Sequence, residues 1–131
     1  MIEIILDTNV LVSALLSPFG APARVLDLIL SQQIILRYDS RIWLEYEMVL
    51  ARPKFRFDPA MIRQILDYLA IISVPVLASP CSRQLSDQND LAFYEVYLTS
   101  ESWLVTGNVK HFPEEPKIVS PPAFLKGIGF P

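Results

Sequence analysis

The run Glu3-Ile4-Ile5-Leu6 stops on Asp7, and this junction constrains the chain more than any other stretch. Ile2, Ile4, Ile5 and Leu6 are apolar and largely β-branched, which suits a strand covered on both faces. Such strands belong to parallel sheets packed between helices, so an α/β fold is expected. Asp7 then sits at the carboxyl end of the first strand, where open α/β sheets place their ligand sites. A carboxylate there is costly to desolvate unless a cation or a hydrogen-bond donor stands beside it.

The rest of the chain alternates in the same way. Val10 to Leu16 starts a helix or a tight turn leading into one, and Ser17 to Pro22 is a loop by its turn residues. Ala23 to Gln32 is an amphipathic helix, and Ile34 to Leu36 a second strand. Asp39-Ser40 caps a helix from Arg41 to Ala51, which stops because Arg52 precedes Pro53. Asp58-Pro59 opens another, with Ile62, Ile65, Leu66 and Leu69 on one face. Ser73 to Leu77 reads as a strand that Pro75 confines to an edge. Leu91 to Leu98 is helical, Trp103 to Thr106 a strand, and Ile118-Val119 a last strand before Pro121-Pro122. The expectation is a single domain, residues 1–131, with a mostly parallel central sheet.

At 131 residues the chain can bury a real core, and its 52% hydrophobic content is high for that size. A homodimer or higher homo-oligomer, or a groove for a partner, is therefore expected. No apolar run approaches a membrane span of about 18 residues. No basic segment precedes the first apolar one, and Cys81 is the only cysteine, which together point to the cytoplasm. The net charge of -3 argues against a surface that coats nucleic acid all round. A local strip is still present, in which Arg52, Lys54 and Arg56 alternate with Pro53, Phe55 and Phe57. It suits RNA phosphates with a ring against an unpaired base, or else a solvated loop whose aromatics fill the core.

Asp7, Glu45, Glu47, Asp87 and Asp90, with Asn108, lie at strand ends or on the helices beside them. Gathered without a cation, such acids repel one another and some must hold a proton. A hard divalent ion such as magnesium or manganese reverses that balance. No Cys/His cluster supports zinc, and neither a GxxxxGK[ST] nor a GxGxxG loop is present. His111 is the only histidine, and no G-x-S-x-G elbow accompanies it.

Four blocks occur in order: Leu6-Asp7-Thr8-Asn9-Val10-Leu11; Glu45-Tyr46 leading to Val49 through Phe55; Asp87-Gln88-Asn89-Asp90 with Phe93; and Leu104-Val105-Thr106-Gly107-Asn108 with His111-Phe112. Together they resemble a PIN domain, closest to the prokaryotic toxins of toxin–antitoxin pairs, over nearly the whole chain to Pro122–Leu125. The resemblance implies a three-layer α/β/α sandwich and a Mg2+- or Mn2+-dependent ribonuclease acting on single-stranded or structured RNA. It further implies restraint by a cognate antitoxin protein. The family's acids map onto Asp7, Glu45 and Asp90, as metal ligands and catalytic groups. Glu47, two residues from Glu45, faces another side of the helix and reads as a solvated charge.

The family's fourth acid is Asn108 here, which removes one negative charge and leaves a carbonyl oxygen. Thr8 and Thr106 place hydroxyls beside the site that could fix carboxylates. Asp87 lies one turn before Asp90 and either supports it or caps the following helix, since the two have capping-box spacing. Arg52 and Lys54 are the candidate substrate contacts. Two other functions compete with the ribonuclease. One is a PIN-like module that binds RNA or protein without cutting, because the acid set is incomplete. The other is a phosphatase of the haloacid dehalogenase type, which wants a second aspartate where Asn9 stands.

Overall fold

Five strands form one sheet in the computed structural model, which describes residues 1–130. They are β1 (Glu3–Leu6), β2 (Ile35–Tyr38), β3 (Val74–Pro75), β4 (Trp103–Val105) and β5 (Ile118–Val119). Their order is β3-β2-β1-β4-β5, and each neighbouring pair is parallel. The apolar run of β1 lands at the centre, where Ile4 pairs with Leu36 on one side and Trp103 on the other. Ile4 and Ile5 are fully buried, as a strand covered on both faces requires. Pro75, which has no amide proton to give a second neighbour, is on the edge strand.

Six helices flank this sheet: α1 (Thr8–Leu16), α2 (Ala21–Leu30), α3 (Ser40–Leu50), α4 (Pro59–Ile72), α5 (Leu91–Ser100) and α6 (Pro121–Gly127). The architecture is the expected α/β/α arrangement. α2 packs on α1 and α6, while α5 packs on α3 and against β1, β2 and β4. Phe93 to Tyr97 are buried all round α5, so that helix is part of the core. Asp39 caps α3 by accepting from the Ile42 amide at 3.0 Å, and Ile42, Tyr46 and Leu50 turn one buried stripe inward. Asp58 caps α4 in the same manner through Ala60.

Several boundaries differ from the sequence reading. α1 starts directly on Asp7 at Thr8, not at Val10, because the Val10 amide already reaches the Asp7 carbonyl at 3.0 Å. α2 begins at Ala21, with Pro22 inside its first turn. β3 keeps only two residues of the expected five. Pro121-Pro122, to which the sequence reading assigned no element, opens α6, capped by Ser120. Among the described residues, no single helix is long and apolar enough to cross a membrane.

The strand order positions the site. From β1 the chain runs outward to β2 and β3, then returns to place β4 and β5 on the other side. The carboxyl ends of β1 and β4 therefore flank the point where the winding reverses, and a crevice forms there. Asp7 follows the first of those strands and Thr106 the second.

Candidate active site

Asp7 is buried at the end of β1, its amide donating to the Val105 carbonyl at 2.9 Å. The Thr106 hydroxyl donates to Asp7 Oδ2 at 2.6 Å and accepts from the Asn108 amide at 3.0 Å, so it can point only one way. Asp7 occupies the position before α1 but makes no side-chain capping bond. Burial raises its carboxyl above the ordinary range, opposed by Thr106, by the nearby Thr8 and Asn9 amides and by His111.

Glu45 reaches the same place from α3, where the Thr8 hydroxyl donates to its Oε2. Burial, with Asp7 and Asp87 nearby, raises its carboxyl against the pull of Thr8 and Arg52. Tyr46 beside it is fully buried and donates its phenol to the Leu6 carbonyl at 2.5 Å. That bond ties α3 to the last residue of β1. Glu47 points away, toward Arg63 at 3.4 Å. The structure thus separates the two glutamates and brings Glu45 to Asp7.

Asp90 approaches from the start of α5. Burial, then the charges of Asp7, Asp87 and Glu45, lifts its carboxyl from 3.8 to about 6, with His111 pulling the other way. Its Oδ2 is buried with no hydrogen-bond partner, and His111 Nδ1 stands 3.5 Å off. Asp87 is exposed and accepts from the Asn89 amide at 2.9 Å, so it acts as a cap and adds charge from a distance. Asn108 is exposed and contributes its backbone amide to Thr106.

His111 and Tyr46 are the members to which the sequence reading assigned no site role. His111 faces Asp90 from a 3-10 turn, Val109–His111, that nothing local announces. Tyr46 had a usable signal: Ile42, Tyr46 and Leu50 recur at helical spacing, which puts its phenol inside. Glu95 is a third residue the sequence reading did not single out, an acid buried on α5 but away from the cluster. Burial pushes its carboxyl up, yet the Cys81 amide and Arg41 overcome that and hold it below its ordinary range. Arg41 spans Glu95 and Asp39 at 2.7 Å each.

The donors are all oxygens, as a hard divalent cation prefers, and the orphaned Asp90 Oδ2 is a buried acceptor with nothing to accept. In kind, these residues fit a magnesium or manganese ion. Among the described residues, no three Asp, Glu, His or Cys side chains are already gathered tightly enough to enclose one.

Comparison with known proteins bears on the fold. Residues 3–110 match the family model described as PIN domain. An uncharacterized protein of Methanocaldococcus jannaschii, MJ1680, is 33% identical over 110 residues, covering 82% of this chain and 71% of its own length. No solved structure matches the chain. The chain belongs to the PIN domain family. PIN domains are in general nucleases that use divalent metal ions, and the fold here is of that nuclease type.

Proposed function

We propose that the chain is a Mg2+- or Mn2+-dependent endoribonuclease hydrolysing RNA phosphodiester bonds, and the toxin of a toxin–antitoxin pair. The observation that supports it most directly is the meeting of Asp7, Glu45 and Asp90 at the switch point, with all three carboxyls raised. Asp7, Asp90 and Glu45 would hold the cation, which would supply positive charge to polarise the phosphate and to offset charge on the leaving oxygen. Glu45 accepts the proton of the attacking water, with Thr8 fixing its carboxylate. Thr106 holds Asp7 in one orientation. The exposed apolar side chains Leu44 and Met48 on α3, and Ile71 on α4, support a homo-oligomer or a cover supplied by the antitoxin.

A fluorescent single-stranded RNA tests the reading, incubated with manganese, magnesium or chelator beside an identically prepared Asp90→Asn variant. Cleavage that needs metal and disappears in the variant supports the nuclease. The toxin role predicts growth arrest on induced expression, absent for Asp90→Asn and relieved by the product of an adjacent antitoxin gene. Asn108 in place of a fourth acid favours one second reading, a PIN-like binder that does not cut. A folded protein that binds RNA but neither cuts it nor takes up manganese would establish that alternative.

A further inference from the structure

A groove of about 460 Å³ runs between α3 and α4, outside the acid cluster. Leu50, Ile62 and Leu66 floor it, and Phe57 forms part of its wall. Arg52 and Arg56 stand on its rim and are exposed, with no ion pair among the described residues. Arg63 also borders the groove but is held by Glu47 and Asp67. The other acid nearby, Asp58, is bound to the Ala60 amide at the start of α4. The free charge on the rim is therefore positive in a chain whose net charge is -3.

One feature joins this groove to the cluster and another shapes its rim. Glu45 lies on α3, and Arg52 follows just past that helix's end in extended backbone, close enough for its positive charge to act on the Glu45 carboxyl. Arg56 takes a left-handed backbone conformation, φ 55°, which is uncommon for a side-chain-bearing residue. It closes the 3-10 turn Pro53–Phe55 and lets Phe55 stack on Phe57, with centroids 5.7 Å apart. Lys54 is spent elsewhere, over the Phe55 ring at 5.1 Å.

We infer that this groove is a subsite for single-stranded RNA flanking the cut, with Arg52 and Arg56 on phosphates and an unpaired base against Phe57 and the apolar floor. An acidic peptide would meet the same charges, but continuity with Glu45 and the aromatic wall favour a nucleotide chain. The inference rests on the ribonuclease reading for its substrate class, and it moves the second cationic contact from Lys54 to Arg56.

The test reads binding without cleavage. Fluorescence anisotropy of a labelled single-stranded oligoribonucleotide is followed in chelator across a salt series. The proteins are wild type, Arg52→Glu, Arg56→Glu, the corresponding Gln variants, and Arg24→Glu on α2 as a distant control, each checked for folding by circular dichroism. Each groove variant is expected to weaken binding about tenfold and to reduce the salt slope by about 0.7 per lost phosphate contact, with Arg24→Glu unchanged. The same oligonucleotide with abasic sugars should bind wild type at least about fivefold more weakly.

Equal affinity and slope in the groove variants, or no RNA binding by wild type, would overturn the inference. Wild type that ignores RNA but binds an acidic peptide would hand the groove to a protein partner. Groove-dependent binding without cleavage in manganese keeps the subsite and removes the nuclease. Cleavage with unaltered binding in the variants does the reverse.

Discussion

Thr106 and Asp7 stand 99 residues apart in the chain and meet at 2.6 Å. Their strands are neighbours at the sheet's centre, and the hydroxyl is polarised by the Asn108 amide behind it. Removing the donor leaves a buried carboxylate with less to hold it. Thr106→Val is expected to cost roughly 1–3 kcal/mol in denaturant melts, and to lower activity or manganese affinity about 10–100-fold. Thr106→Ser keeps the hydroxyl and should recover most of both. Equal behaviour of Val and Ser would mean that only the shape of the side chain matters.

Tyr46 performs a related task from the helix side, because its phenol is the donor for the Leu6 carbonyl at the end of β1. Burial, together with Asp7 and Glu45, raises its ionisation far above the ordinary range, so it stays a donor. Tyr46→Phe leaves that carbonyl buried and unpaired, at roughly 1–3 kcal/mol. The ring and its packing are retained, so circular dichroism should be unchanged while the melt shifts. A variant as stable as wild type would show that water takes over the contact.

Glu45 and Glu47 offer a sharper comparison, since two identical side chains on one helix have opposite surroundings. Glu45→Gln is expected to reduce RNA cleavage at least about 100-fold, because it removes the acceptor for the water's proton. Glu47→Gln loses only an exposed pair with Arg63 and should stay within about twofold in rate and about 0.5 kcal/mol in stability. The ratio of the two rates is the measurement. Equal losses would contradict the placement of Glu45 beside Asp7.

What was legible in the sequence was local. The buried strand before Asp7, the Asp39 and Asp58 caps and the edge position of Pro75 each follow from residues within a few positions of one another. The start of α1 was displaced because Thr8 and Asn9 are weak helix formers, yet they continue directly from the strand. α6 was hidden because Pro121-Pro122 reads as a stop, although proline just after a serine cap is also how helices begin. His111 beside Asp90, and Arg41 between Asp39 and Glu95, are contacts made only by the fold. Of the acids, Asp7, Glu45 and Asp90 were brought together, whereas Asp87 took its capping role.

Asp90 supplies the pH dependence. Its carboxyl sits near 6 in the folded, metal-free chain against an ordinary 3.8. The folded state therefore holds this proton more tightly than the unfolded state does. As pH rises from about 3.8 to about 6, that advantage is lost, and stability falls. The loss should be roughly 1–2 kcal/mol, allowing for solvent that reaches the partly exposed site. Asp7 and Glu45, also raised, act in the same direction as Asp90, while Glu95, held below its ordinary range, loses stability on acidification, so the wild-type profile alone mixes these effects. Subtracting Asp90→Asn isolates the term. In chelator the variant should match wild type near pH 4 and exceed it at pH 7, since amide replaces a repelled charge. Manganese should then stabilise wild type at pH 7 and leave the variant unmoved. A variant less stable than wild type at pH 7 in chelator would mean that Asp90 is held by a partner stronger than His111, and that its charge is not under repulsion.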